Sequence, residues 1–292
     1  MQKVIYVPPW DTLGGEDNVA LRLAEPFILG TISGTSGTDV TVQSETIPGM
    51  DGVYVENVRT ESGEITCEIN VKGNSREDMY RQRFRLIRAL TPKAEPGTLY
   101  YSNDYITMKI GAIPQSSPKF TGRIKNYNSA EIKFFCPVPH WEAVEETTRR
   151  IAWIGNAFEF PVEIEDSGME FGVIQSNATV KLNTVINASI IITIGAPATS
   201  PIVITNTTTG ESITLEKSLG DNERLIINTK RGNKSVVLVH ADGTEEDAFH
   251  YITPDSVLFE LVPGENVIEY ENWNESEPTT CTISYHELYS GV

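Results

Sequence analysis

Paired cysteines are missing from this 292-residue chain. Cys67, Cys136 and Cys281 stand far apart, without a C-x-x-C spacing and in odd number. That excludes a disulfide framework and leaves each thiol the part of a small buried hydrophobe. Basic residues are also short: Lys and Arg number 23 against 40 Asp and Glu, a formal net charge of -17. A protein that grips nucleic acid by its phosphates, or docks on an anionic membrane, needs the opposite balance. No run approaches the ~18 apolar residues of a membrane-spanning helix. The opening MQKVIYVPPWDTLGG has no long apolar core and no small-residue cleavage site. The expectation is a chain without a signal peptide, made in a cytoplasm and not in a membrane.

Catalytic signatures are absent too. The chain has no H-E-x-x-H, G-x-S-x-G, G-x-x-x-x-G-K-[ST] or G-x-G-x-x-G. His140, His240, His250 and His286 are scattered. HADGTEEDAFH sets His240 and His250 beside Glu245, Glu246 and Asp247, but D-G marks a hairpin tip, where acidic residues are ordinary. Forty carboxylates bring some together by chance, yet Trp10, Trp141, Trp153 and Trp273 are isolated and outline no cleft for a glycosidase pair. No enzyme, metal or cofactor is expected.

What the chain does have is period-two patterning. EITCEINVKG alternates Ile65, Cys67, Ile69 and Val71 with polar neighbours; YITMKIGAI and AEIKFFCPV repeat the pattern. Further short β-branched stretches follow after residue 188, separated by turn residues such as Gly220-Asp221-Asn222 and Asp242-Gly243. Short strands at such spacing predict a mainly β chain of sandwich or barrel type.

One segment breaks the pattern. NSREDMYRQRFRLIRALTPK opens with Asn74 or Ser75 as a cap and Glu77 or Asp78 as the answering acid. Met79, Tyr80, Phe84, Leu86, Ile87 and Leu90 recur at helical spacing, and Pro92 follows. This predicts one helix over about 74–90, with the apolar stripe on a sheet. Five of the twelve arginines fall within its thirteen residues 76–88. Arg81, Arg85 and Arg88 face away from the stripe, as a solvated face with local pairs such as Glu77–Arg81.

The Pro-rich, then charged stretch PVPHWEAVEETTRR predicts a boundary. The division is an N-terminal domain of residues 1–140, a linker of 141–154 and a wholly β domain of 155–292. In the latter, YENWNESE offers Tyr270, Trp273, Asn274 and Glu275. Trp273 and Asn274 are candidates for stacking and bonding a sugar; the alternative is an aromatic that closes the end of a sandwich.

The order of several motifs resembles a known family. IPGMDGVYVEN is followed by an alternating strand and a basic helix ending LIRALTP, then by GTLYYSNDYITMKIGAI, AEIKFFCPVPHWEA and SVLFELVPGENVIEY. This succession, over essentially the whole chain, resembles the distal tail (Dit) proteins of long-tailed, siphovirus-type bacteriophages and of prophage tail-like particles. Cys136-Pro137-Val138-Pro139-His140-Trp141 departs from the acid-then-proline pattern frequent in the family before its aromatic. The resemblance implies an N-terminal β-sandwich with one helix and a C-terminal galectin-like β-sandwich or jelly roll. It implies a virion structural protein at the distal end of the tail, forming a homo-hexameric ring between tail tube protein and tail hub protein. Receptor-binding proteins are attached to such rings in some phages, and tape measure and DNA pass through the opening. In that setting Arg81, Arg85 and Arg88 are ring-interface candidates. A carbohydrate-binding virion adhesin that uses the C-terminal sandwich is the alternative.

Overall fold

The computed structural model describes residues 2–22, 25–49, 51–155, 173–272 and 279–292. These divide into two units. The first holds the chain up to Val144 together with Tyr289–Val292; the second is Glu145–Leu288.

The first unit is built from β1 (Lys3–Val7), β2 (Val19–Leu21), β3 (Phe27–Ser33), β4 (Val40–Glu45), β5 (Tyr54–Thr60), β6 (Gly63–Lys72), α1 (Arg76–Ala89), β7 (Gly97–Ser102), β8 (Thr107–Pro114), β9 (Lys119–Ile124), β10 (Tyr127–Cys136) and β11 (Trp141–Ala143). Its main sheet runs β2-β1-β7-β8-β10-β6-β3, with β9 beside β10 and β11 beside β8. A bridge between Arg22 and Ile28 brings the two ends of this order together. The predicted alternation is what the sheet buries: Ile65, Cys67, Ile69 and Val71 of β6, Met108 and Ile110 of β8, Ile132, Phe134 and Cys136 of β10. Both thiols lie in this core, and burial pushes each up to about 12.

α1 packs across β6 and β10. Ser75 caps it: its Oγ accepts from Asp78 N at 3.1 Å, and Asp78 Oδ2 accepts in return from Asn74 N at 2.9 Å. The buried row is Met79, Leu86, Ala89 and Leu90, with Tyr80 and Ile87 at its margin. Phe84, expected in the stripe, is instead 72% exposed. At about 100° per residue it lies about 140° around the helix from Met79, too far to share that row.

The second unit comprises β12 (Thr147–Gly155), β13 (Val173–Gln175), β14 (Asn177–Leu182), β15 (Ile190–Gly195), β16 (Ile202–Asn206), β17 (Glu211–Leu215), β18 (Arg224–Asn228), β19 (Ser235–Val239), β20 (Glu245–Asp247), β21 (Gly264–Asn272) and β22 (Thr280–Tyr285). They form a sheet of order β13-β12-β22-β15-β18-β19-β20 and a second of order β14-β21-β16-β17. The inward residues of both, among them Ile192, Ile227 and Ile283 from one and Val180, Ile204 and Ile213 from the other, share one core. That is a sandwich, and Cys281 is buried in it. β23 (Leu288–Tyr289) then pairs with β11.

Residues 141–154, expected as a linker, hold β11 and most of β12. Trp141 is buried in the first core, and Thr147–Arg150 and Ala152 pair with β22, with a bulge at Ile151. Of the charges that suggested a linker, Glu142 lies on β11, Glu145 and Glu146 are exposed just before β12, and Arg149 and Arg150 take exposed positions of β12, which pairing leaves free to be polar.

Candidate docking surface

Two features of the first unit expose apolar side chains that a lone globular domain would cover. One is the ribbon β4–β5, a two-stranded sheet of its own. Its base is closed by Glu61 N donating to Asp39 O at 2.9 Å. At its tip Gly49 and Gly52 take φ of +87° and +91°, which glycine alone adopts without strain. Pairing sets Val42 opposite Val58 and Val40 opposite Thr60 on one face; a bulge at Gln43/Ser44 puts Val55 opposite Ser44 on the same side. Thr41, Gln43, Asn57 and Arg59 occupy the other face. Val40, Val42, Val53, Tyr54, Val55 and Val58 are all exposed. An isolated two-stranded ribbon is marginal in water, and a grouped exposed apolar face marks an interaction site.

The other is the outward face of α1. Glu77, Arg81, Phe84, Arg85 and Arg88 are exposed along it. The loop after β1 packs beside this face, and its geometry is set by Asp11. That carboxylate accepts from Thr12 N (2.8 Å), Asp17 N (2.9 Å) and Asn18 Nδ2 (2.9 Å). The Thr12 N–H above all, with the other donors, holds its pKa below the ordinary carboxylate value. The loop turns Asp17 inward, where its carboxylate accepts from Trp10 Nε1 and pairs with Arg88 Nη2, each at 3.1 Å. Arg85 Nη2 donates to the Glu16 and Asn18 carbonyls at 3.2 Å. Two open grooves flank Arg88, one lined by Pro9, Trp10, Thr91 and Lys93, the other by Glu16, Asp17, Phe84 and Arg85.

The three arginines singled out in the sequence thus have different neighbours. Arg81 makes the local pair with Glu77, at 3.6 Å and well exposed. Arg85 and Arg88 fasten the 11–18 loop to the helix, a role no local spacing announces because the partners lie about 70 residues away. Both keep their positive charge at the surface. Phe84 and the ribbon valines are docking candidates that sequence reasoning missed.

Trp273 and Asn274 lie outside the described residues. His240 sits between two carboxylates, Nδ1 at 2.8 Å from Glu223 Oε1 and Nε2 at 3.1 Å from Glu246 Oε2, while His250 stacks against Tyr251. Among the described residues no group of three or more His, Cys, Asp or Glu is placed to hold a metal, and no helix is long and apolar enough to cross a membrane.

Comparison with known proteins agrees with this architecture. The family model of the phage tail protein RIFT-related domain matches residues 19–136, and that of the siphovirus-type tail component, C-terminal domain, matches residues 178–289. No curated protein sequence matches. Among solved structures, the Dit protein (gp 19.1) of phage SPP1, described as a paradigm of the hub adsorption apparatus in phages infecting Gram-positive bacteria, aligns with a TM-score of 0.68 at 12% identity over 99% of both chains. A chain of the phage p2 baseplate in its activated conformation aligns with TM-scores of 0.59 (calcium form) and 0.60 (strontium form). In both forms the identity is 14%, over 100% of this chain and 99% of that one. With both halves matched by tail-protein models and the whole length matched in fold, the chain belongs to the siphovirus distal tail protein family, structural components of the phage tail and its baseplate.

Proposed function

We propose that this protein acts as a homo-hexameric ring at the distal end of the tail, joining the tail tube to the tail hub, with tape measure and DNA passing through its opening. The exposed valine face of the β4–β5 ribbon carries this reading. About half a dozen uncovered apolar side chains on a marginal ribbon are costly in a monomer and natural at a subunit contact. The charge fits the passage of DNA. At -17 per chain, six copies approach about -100, and an acidic or neutral channel wall leaves phosphates hydrated and mobile.

Mass photometry across a concentration series tests the ring; a six-chain species is expected, and a strictly monomeric protein at micromolar concentration counts against it. A gel-shift series on duplex DNA at low salt tests the passage. No retained DNA is expected, and tight, salt-sensitive binding would oppose the acidic wall.

A further inference from the structure

We infer that the ribbon β4–β5 of one copy docks on the outward face of α1 of the next, with Phe84 as the apolar anchor and the arginines as the charged rim. This rests on the reading of the protein as a ring and names the two surfaces that meet in it.

The two surfaces complement each other in chemistry. Between residues 39 and 61 the chain carries Asp39, Glu45, Asp51, Glu56 and Glu61 against Arg59 alone, so the ribbon is acidic. The α1 face presents Arg81, Arg85 and Arg88 against Glu77 and, at its edge, Glu16, with Lys93 nearby over the Trp10 ring at 5.8 Å. It is the densest group of arginines in an otherwise acidic chain. Each surface also carries exposed apolar groups amid its charges: valines and Tyr54 on the ribbon, Phe84 and Trp10 at the helix. An aromatic flanked by arginines is the composition of an energetic centre at protein contacts, and opposite fields on two patches fix which patch meets which.

The arginines are also held ready. Arg88 is bonded to Asp17 and Arg85 to two backbone carbonyls, so their side chains are ordered before a partner arrives. Carbonyls leave the Arg85 charge uncancelled, and the exposed Arg81–Glu77 pair exchanges readily for another carboxylate. Because the ribbon and the α1 face are different surfaces of one unit, their contact is head-to-tail. Such a contact propagates by one fixed rotation and closes into a ring when that rotation divides a full turn.

The experiment is complementation between two defective chains. One variant carries Val42→Asp and Val58→Asp on the ribbon; the other carries Phe84→Asp and Arg81→Glu on the helix. All four side chains are exposed, so both variants should retain the wild-type thermal melt, which is checked first. Each alone should associate at least about ten-fold more weakly than wild type by mass photometry. An equimolar mixture should restore one intact contact per pair and give a two-chain species that neither variant forms alone. If either variant assembles as wild type does, or if the mixture stays monomeric while wild type makes rings, the ribbon and the helix face are not partners and the inference falls alone. If wild type itself remains monomeric at every concentration, the ring reading falls and takes this one with it.

Discussion

Arg81 and Arg88 sit two helical turns apart on one face, yet the loop beneath them makes their worth unequal. Arg88 meets a carboxylate whose side chain is only 10% exposed, whereas the Glu77 carboxylate beside Arg81 is 87% exposed. Exposed i,i+4 pairs contribute about 0.3–0.5 kcal/mol. Removing the charged donor to a buried carboxylate costs about 1–3 kcal/mol. Arg81→Ala is therefore expected to leave the urea midpoint of the first unit unchanged, and Arg88→Ala to lower it clearly; equal effects would contradict the structure. A second residue-level effect concerns acidity. The Glu223 carboxylate on Nδ1, then Glu246 on Nε2, raise the His240 pKa above its ordinary 6.5. A group raised on folding contributes stability that is full below its unfolded pKa and lost as pH climbs through the folded one. Glu223 runs the other way. The Gly220 N–H and His240 lower its pKa, so its contribution is present above the unfolded carboxylate value and lost in acid. Amides of β18 and β19 should exchange hydrogen more slowly at about pH 5.5 than at about pH 8, after correction for the intrinsic rate. His240→Gln should remove the difference.

At the scale of elements, the ribbon β4–β5 is expected to be dispensable to the fold. Its strands are exposed throughout apart from Thr60, which is partly covered, and Asp39 and Glu61 already meet at its base. Replacing residues 41–59 by a short Gly-Ser turn should leave the melting temperature within a few degrees of wild type while abolishing self-association; an unfolded product would show that the ribbon belongs to the core. The same ribbon marks the limit of what could be read from the chain. Alternation at Ile65, Cys67, Ile69 and Val71 signals a buried face, and the structure buries it. Val40 and Val42, and Val53 and Val55, give the same spacing over shorter runs, and the bulge that brings Val58 to the same face breaks the alternation; periodicity moreover says only that one face is apolar, not whether the same molecule covers it. The helix shows both outcomes. Ser75 and Asp78 act as the cap their spacing announced, because capping is local. Phe84 is apolar and adjoins the stripe in sequence, but its angle on the helix puts it outside the buried row, and Trp10–Asp17–Arg88 has no sequence signature because its members come together only through the tertiary fold.

For the whole molecule, the division into units leads to an asymmetric pair of fragments. Residues 145–288 contain both sheets and the complete core of the second unit, and should give a cooperative thermal melt when expressed alone. Residues 1–144 lack Tyr289–Val292, whose Tyr289 and Val292 pack on the first core, and should melt below the corresponding transition of the full chain. Calorimetry of the two fragments and the parent checks both; an aggregated 145–288 would mean that one continuous structure had been cut. Gly291→Val should mimic the loss of the last residues. A Cβ at Gly291 would stand 2.7 Å from the Ser36 carbonyl carbon, and backbone there has little room to withdraw.

That returning segment has a consequence for the order of events during synthesis. Val292 N donates to Thr35 O at 2.9 Å, so the last part of the first unit to be translated closes onto one of the earliest. The first unit carries both the ribbon and the helix face, yet it reaches its final packing only after the whole of the second unit has left the ribosome. A chain broken off anywhere in residues 145–288 therefore presents an unfinished first unit. If the chain assembles as proposed, prematurely ended chains are expected to be poor partners at the moment of assembly.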